Sequence, residues 1–120
     1  NSFALRRPRL VPLPVDGDGV VVDAMPPLDY AYVTPSHQSP TTATLSLERR
    51  ERLLRRAARA DFVVIEDDYE AENLHAGAPM PALKSLDRTG RVVYVGSVSK
   101  SLSPALRLGY IVASRELVAE

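Results

Sequence analysis

The chain has 120 residues and a mass of 13.1 kDa, the size of one ordinary domain and too short for two full cores. Apolar residues make up 45% and charged residues 25%, with 15 Lys+Arg against 15 Asp+Glu, so the chain is globular in composition and lacks the broad positive field of a free-standing nucleic-acid binder. The absence of cysteine excludes a disulfide framework, a thiolate zinc site and cysteine nucleophile chemistry, and no apolar run is long enough to cross a membrane or serve as a signal peptide.

Asn1 to Leu10 is basic and reads as a helix end or an arm. Leu10 to Val15 is apolar but holds Pro12 and Pro14, which confines any strand there to an edge or an irregular one. Asp16-Gly17-Asp18-Gly19 is a turn signal, and Pro26-Pro27 closes the region. Tyr30 to Thr34 predicts a short strand, ended by Pro35 and a polar loop from Ser36 to Thr42. Ser46 is placed as a helix N-cap with Glu48 in the first turn, and the helix runs to about Ala60. Its apolar side reads as Leu47, Leu54, Ala57 and Ala58, and the six arginines from Arg49 to Arg59 read as a solvated face with local ion pairs. Phe62 to Ile65 predicts a strand covered on both faces, ending at Glu66-Asp67-Asp68-Tyr69. Val92 to Val95 and Leu108 to Ala113 predict two more strands around a polar loop. This α/β rhythm implies parallel pairing through a crossover helix. About five strands and two long helices are too few to cover both faces of such a sheet, which predicts a piece of a larger domain.

Ligands collect at the carboxyl ends of strands in open α/β sheets. Two polar clusters fall there: Glu66-Asp67-Asp68, and Ser97-Val98-Ser99-Lys100-Ser101-Leu102-Ser103. Parallel pairing of their strands would set them side by side. An amine flanked by hydroxyls, followed by Arg107 and facing a carboxylate, suits pyridoxal phosphate. That cofactor needs an amine for its Schiff base, donors and positive charge for its phosphate, and a carboxylate beside its ring nitrogen.

From Tyr32 to Ala113 the chain resembles the large domain of fold-type I aminotransferases, and most closely the aminotransferase-like domain of MocR-type regulators of the GntR superfamily. The resemblance rests on Tyr32-Val33-Thr34-Pro35-Ser36-His37-Gln38, on Ser46 to Arg50, on Ile65-Glu66-Asp67-Asp68-Tyr69, and on Tyr94 through Tyr110. Lys100 stands 33 residues after Asp67 and seven before Arg107. The resemblance implies a partial three-layer α/β sandwich with a mostly parallel sheet. It divides the chain into a weakly matched lead-in, 1–29, and a cofactor-binding core, 30–114. It implies that Lys100 anchors the cofactor and is the catalytic residue, that Asp67 pairs with the ring nitrogen, and that Tyr69 meets the ring hydroxyl. Ser97, Ser99 and Arg107 would hold the phosphate, and His37 would lie near the ring. Where standalone aminotransferases carry Asn-Pro-Thr-Gly, this chain reads Ser39-Pro40-Thr41-Thr42.

Two functions follow from the resemblance. One is the cofactor-binding effector domain of a cytoplasmic, homodimeric transcription regulator, with an amino acid or amine as effector and DNA bound through a domain outside this chain. The other is part of an active aminotransferase moving amino groups between amino acids and 2-oxo acids. His37-Gln38 and an acidic motif without an intervening proline favour the regulator. A receiver domain, which also uses paired acids, fails on order, because no aspartate follows Asp87. His37 and His75 lack metal-site spacing, so no metal is expected.

Overall fold

The computed structural model describes residues 8–69, 80–98, 105 and 107–119. A tight hairpin joins β1 (Val15–Asp16) to β2 (Gly19–Val20) across the expected turn. Glycine is required at its exit: Gly19 has φ 93°, and a Cβ there would lie 2.9 Å from Leu45 Cδ1. A 3-10 turn, Val22–Ala24, leads to β3 (Tyr30–Val33). Helix α1 (Leu47–Ala60) starts where Ser46 Oγ accepts the Arg49 amide and stops at Asp61, which adopts the left-handed conformation. β4 (Val63–Asp68), α2 (Leu83–Leu86), β5 (Val92–Ser97), β6 (Gly109–Val112) and α3 (Arg115–Val118) complete the order.

The main sheet runs β3-β4-β5-β6. β3, β4 and β5 are parallel, as α1 between β3 and β4 demands, whereas β6 is antiparallel to β5. One face of the sheet carries the core: Ala31, Val33, Val64 and Val92 pack with Leu53 and Ala57 of α1, Leu83 of α2, and Val20, Val22 and Met25 of the lead-in.

The structure corrects the sequence reading at β4 and at α1. β4 does not stop at Ile65 but runs through Asp68, because Glu66 pairs in register with Val33 and Tyr94. Its burial alternates, with Val64, Glu66 and Asp68 on the covered face, so the other face is not closed as expected. Among the described residues α1 is the one long helix, α2 and α3 spanning four residues each. Finally, the buried residues of α1 are Arg50, Leu53 and Ala57; Leu47 and Ala58 are exposed.

The arginines of α1 are therefore fasteners as much as a solvated face. Arg49 forks onto Asp16 (2.5 and 2.7 Å) and reaches the Gly19 carbonyl at 3.0 Å. Arg52 donates to Asp23 at 2.8 Å, and Arg56 to the Val22 and Met25 carbonyls. Together they stitch the lead-in to the helix. The local pairs expected from the sequence are present too, Arg52 with Glu48 and Arg55 with Glu51. Arg50 is 0% exposed and donates to three carbonyls: Leu45 through Nε (2.8 Å), Pro81 through Nη1 (2.8 Å) and Pro35 through Nη2 (2.9 Å).

Replacing Arg50 by Met strands those carbonyls in the interior and leaves the buried Glu66 without its nearby positive charge, which costs about 3–5 kcal/mol. The same change at the exposed Arg55 costs less than about 0.5 kcal/mol. Urea denaturation of both variants beside the wild type checks the contrast.

Candidate functional site

The register of the parallel strands decides what meets at their carboxyl ends. Asp67 lies opposite Val95 and Asp68 opposite Gly96, so Ser97 follows at the same edge. The antiparallel turn of β6 returns the chain there: Ser97 pairs with Gly109, the Val98 amide donates to the Leu108 carbonyl at 3.1 Å, and Arg107 stands just before, with φ 43°. The loop after β3 reaches the same edge. Tyr69 Oη donates to the His37 carbonyl at 2.7 Å, and the two rings meet edge-on at 6.4 Å. Asp67, Tyr69, Ser97, Arg107 and His37 thus share one end of the sheet. Ser99 and Lys100 lie outside the described residues.

The period of two in β4 gives the three acids different surroundings. Glu66, 0% exposed, accepts from the Leu83 and Lys84 amides at 2.8 Å each and so caps α2. Burial pushes its carboxyl above the usual range, against the pull of those amides and of Arg50. Asp68, 8% exposed, accepts from Tyr94 Oη at 3.2 Å through Oδ2; its buried Oδ1 has no hydrogen-bond partner among the described residues. Burial, with help from Tyr110 and the Asp68 charge, holds the Tyr94 phenol far above its ordinary pKa. Tyr110 lies across Gly96, where a Cβ would come within 2.4 Å of its ring. Asp67 alone turns to the other face. There Tyr32 Oη donates to Asp67 Oδ2, and this bond, with partial burial and the Asp67 charge, pushes the Tyr32 phenol up to about 12.

The second lysine is committed elsewhere. Lys84 Nζ donates to the Val92 carbonyl at 2.8 Å and lies 3.8 Å from Asp87, at the amino end of β5 and away from Asp67. The sequence reading missed Arg50 and Glu66 as structural partners, and Tyr32 as a neighbour of Asp67. Tyr32 is found only through the strand register: opposite Ile65, it shares a face with Asp67, two residues further along β4.

A mostly parallel sheet with its polar residues gathered at one carboxyl edge defines the class. The fold is that of the fold-type I aminotransferases: LysN, the α-aminoadipate aminotransferase of Thermus thermophilus, matches with a TM-score of 0.84 and 35% identity over 93% of this chain and 31% of that one. Residues 29–120 match the family described as aminotransferase class I and II, and the chain belongs to that family. It is also similar to regulators. The HTH-type transcriptional regulator TauR of Rhodobacter capsulatus is 52% identical over 106 residues, 88% of this chain and 22% of TauR. The probable rhizopine catabolism regulatory protein MocR of Rhizobium meliloti is 41% identical over 119 residues, 98% of this chain and 24% of MocR. The chain thus spans about a quarter of the length of these two regulators. No helix among the described residues is long and apolar enough to cross a membrane.

One departure from the aminotransferase loop has a structural consequence. Thr42 stands where those enzymes carry glycine, and it keeps a left-handed φ of 59° that suits glycine better than a β-branched residue. Relief of that strain, partly offset by the entropy glycine loses on folding, makes Thr42→Gly stabilising by about 0.5–1 kcal/mol. Thermal melting should show a higher midpoint for the variant.

Proposed function

We propose that this chain is the pyridoxal-phosphate-binding part of the effector domain of a MocR-type transcription regulator. The observation that carries the reading is the gathering of Asp67, Tyr69, Ser97 and Arg107 at one sheet edge, with the Asp67 carboxylate on the face opposite Glu66 and Asp68. The donor chemistry fits the cofactor: a carboxylate suited to a ring N–H, a serine hydroxyl and a guanidinium suited to a phosphate, and a phenol beside them.

In this reading Asp67 holds the ring nitrogen protonated, and Ser97, Ser99 and Arg107 bind and orient the phosphate. Tyr69, itself oriented by the His37 carbonyl, stands beside the ring hydroxyl, and Lys100 supplies the anchoring amine. When bound, pyridoxal phosphate supplies an aldehyde that condenses with amines and a ring that withdraws electrons. The effector is then an amino acid or amine, recognised through its amino group. DNA is contacted through a segment outside this chain, and the cytoplasmic protein works as a homodimer. The similarity to TauR and MocR supports the regulator; the match to an α-aminoadipate aminotransferase supports a second reading, in which the same edge serves transamination.

Full-length protein mixed with pyridoxal phosphate should develop visible absorbance that Lys100→Ala abolishes and Asp67→Asn weakens. Persistence of the band in Lys100→Ala would move the anchor to another amine and overturn the assignment. DNA affinity that changes with cofactor and amine supports the regulator, whereas turnover of an amino acid with a 2-oxo acid selects the enzyme.

A further inference from the structure

Tyr32 belongs to none of the roles assigned above, yet its hydroxyl is the hydrogen-bond donor that meets Asp67 among the described residues. It sits on β3, first in the order of the sheet that the described residues form, and its ring projects on the same face as Asp67. Its side chain is 62% exposed, so packing does not account for where its hydroxyl lies. Tyr30 offers a comparison within the same strand: it shares that face, is 68% exposed and stands opposite Val63, and the residue two further along β4 is Ile65, where Tyr32 has Asp67.

We propose that Tyr32 is a positioning residue for the cofactor site, holding the Asp67 carboxylate by one oxygen so that the other faces the ring nitrogen. This rests on the cofactor reading above and names a residue that acts through Asp67 without touching the ligand. A carboxylate at the end of a strand rotates about two torsions, and ordering it costs entropy when a ligand binds. A phenol anchored in the neighbouring strand removes much of that freedom beforehand. The bond from a neutral O–H to an ionised carboxylate is charge-assisted, strong enough to fix a rotamer at a half-open site. It occupies Oδ2 and leaves Oδ1 as the acceptor for an incoming N–H. Partners of this kind, one step removed from the ligand, tune affinity by about 10- to 100-fold at metal sites, and the same logic applies to a carboxylate that grips a ring.

The phenol also has a defined pH window. Burial and the bond to Asp67 raise its pKa in the folded protein from the ordinary phenol value of 10.0 to about 12, so the hold on Asp67 is complete below about pH 10 and is lost as pH rises through about 12. Near neutral pH the clamp is therefore always closed.

The test is a double-mutant cycle on full-length protein, with the dissociation constant for pyridoxal phosphate measured by equilibrium dialysis near neutral pH. Tyr32→Phe keeps the ring and removes the hydroxyl. It should weaken binding about tenfold in the wild-type background and less than about twofold once Asp67→Ala is present. Tyr30→Phe should bind as wild type, and both tyrosine variants should remain folded at the assay temperature, as circular dichroism checks. A silent Tyr32→Phe, or an equal loss in both backgrounds, overturns the assignment of Tyr32 while leaving Asp67 in its role. If Asp67→Ala binds as tightly as wild type, the cofactor reading falls and the Tyr32 assignment with it.

Discussion

Much of this fold is organised around one buried guanidinium. Arg50 brings together the Pro35 and Leu45 carbonyls, which close the loop carrying His37, and the Pro81 carbonyl, which leads into α2. The guanidinium's donors form a rigid planar fork, so it can serve three carbonyls arriving from different directions. Burial disfavours its charge, and Glu66 and Asp68 on β4 pull the other way. Glu66 is held in turn by the first amides of α2. Helix, loop and strand are thus locked through one set of hydrogen bonds, and the loop that supports Tyr69 is set by a residue of α1.

The same strand shows how a fold sorts chemically similar groups. Glu66, Asp67 and Asp68 are adjacent in sequence, yet the pleat sends the first and third into the covered face. The inward acids must find donors, and they find them unequally: Glu66 has two amides and a nearby Arg50, while Asp68 has one phenol and an Oδ1 with no hydrogen-bond partner among the described residues. The acid between them is spared that cost. Its partner among the described residues is an exposed tyrosine bonded to one of its two oxygens, at the edge where β5 and β6 deliver Ser97 and Arg107. The carboxylate of the proposed site and the two structural ones are separated here by a period of two.

The elements legible in the sequence were those set by local signals. Ser46 as N-cap, the end of α1 near Ala60, the turn at Asp16 to Gly19 and the start of each main strand follow from capping chemistry, glycine and apolar runs. What escaped depended on partners far along the chain. An arginine inside an alternating run of charges reads as solvated, and only the arrival of the Pro35, Leu45 and Pro81 carbonyls makes Arg50 a core residue. The acids after Ile65 read as the end of a strand, because polar residues rarely continue a buried one; here hydrogen bonds from α2 let it continue. The motif grouped Asp67, Tyr69, Ser97, Arg107 and His37, and parallel pairing brings them to one edge; Ser99 and Lys100 of the same motif lie outside the described residues. Tyr32 required the register of β3 against β4, which no local pattern carries.

In the proposed site, the placement of these residues would couple ligand binding to the integrity of the sheet. Asp67 is next to last in β4, Ser97 ends β5, and Arg107 precedes β6, so none can hold its position unless those strands are paired. A ligand that bridges them has no comparable site on the unfolded chain. It therefore stabilises the paired sheet by mass action, by about 2.7 kcal/mol at a free concentration 100 times its dissociation constant. The antiparallel β6 is decisive, because a fourth parallel strand would put Arg107 at the opposite end, beside Lys84 and Asp87. Reversing that one strand brings a guanidinium to an edge that already carries a carboxylate and a hydroxyl, and a ligand bearing both a ring N–H and a phosphate can use all three together.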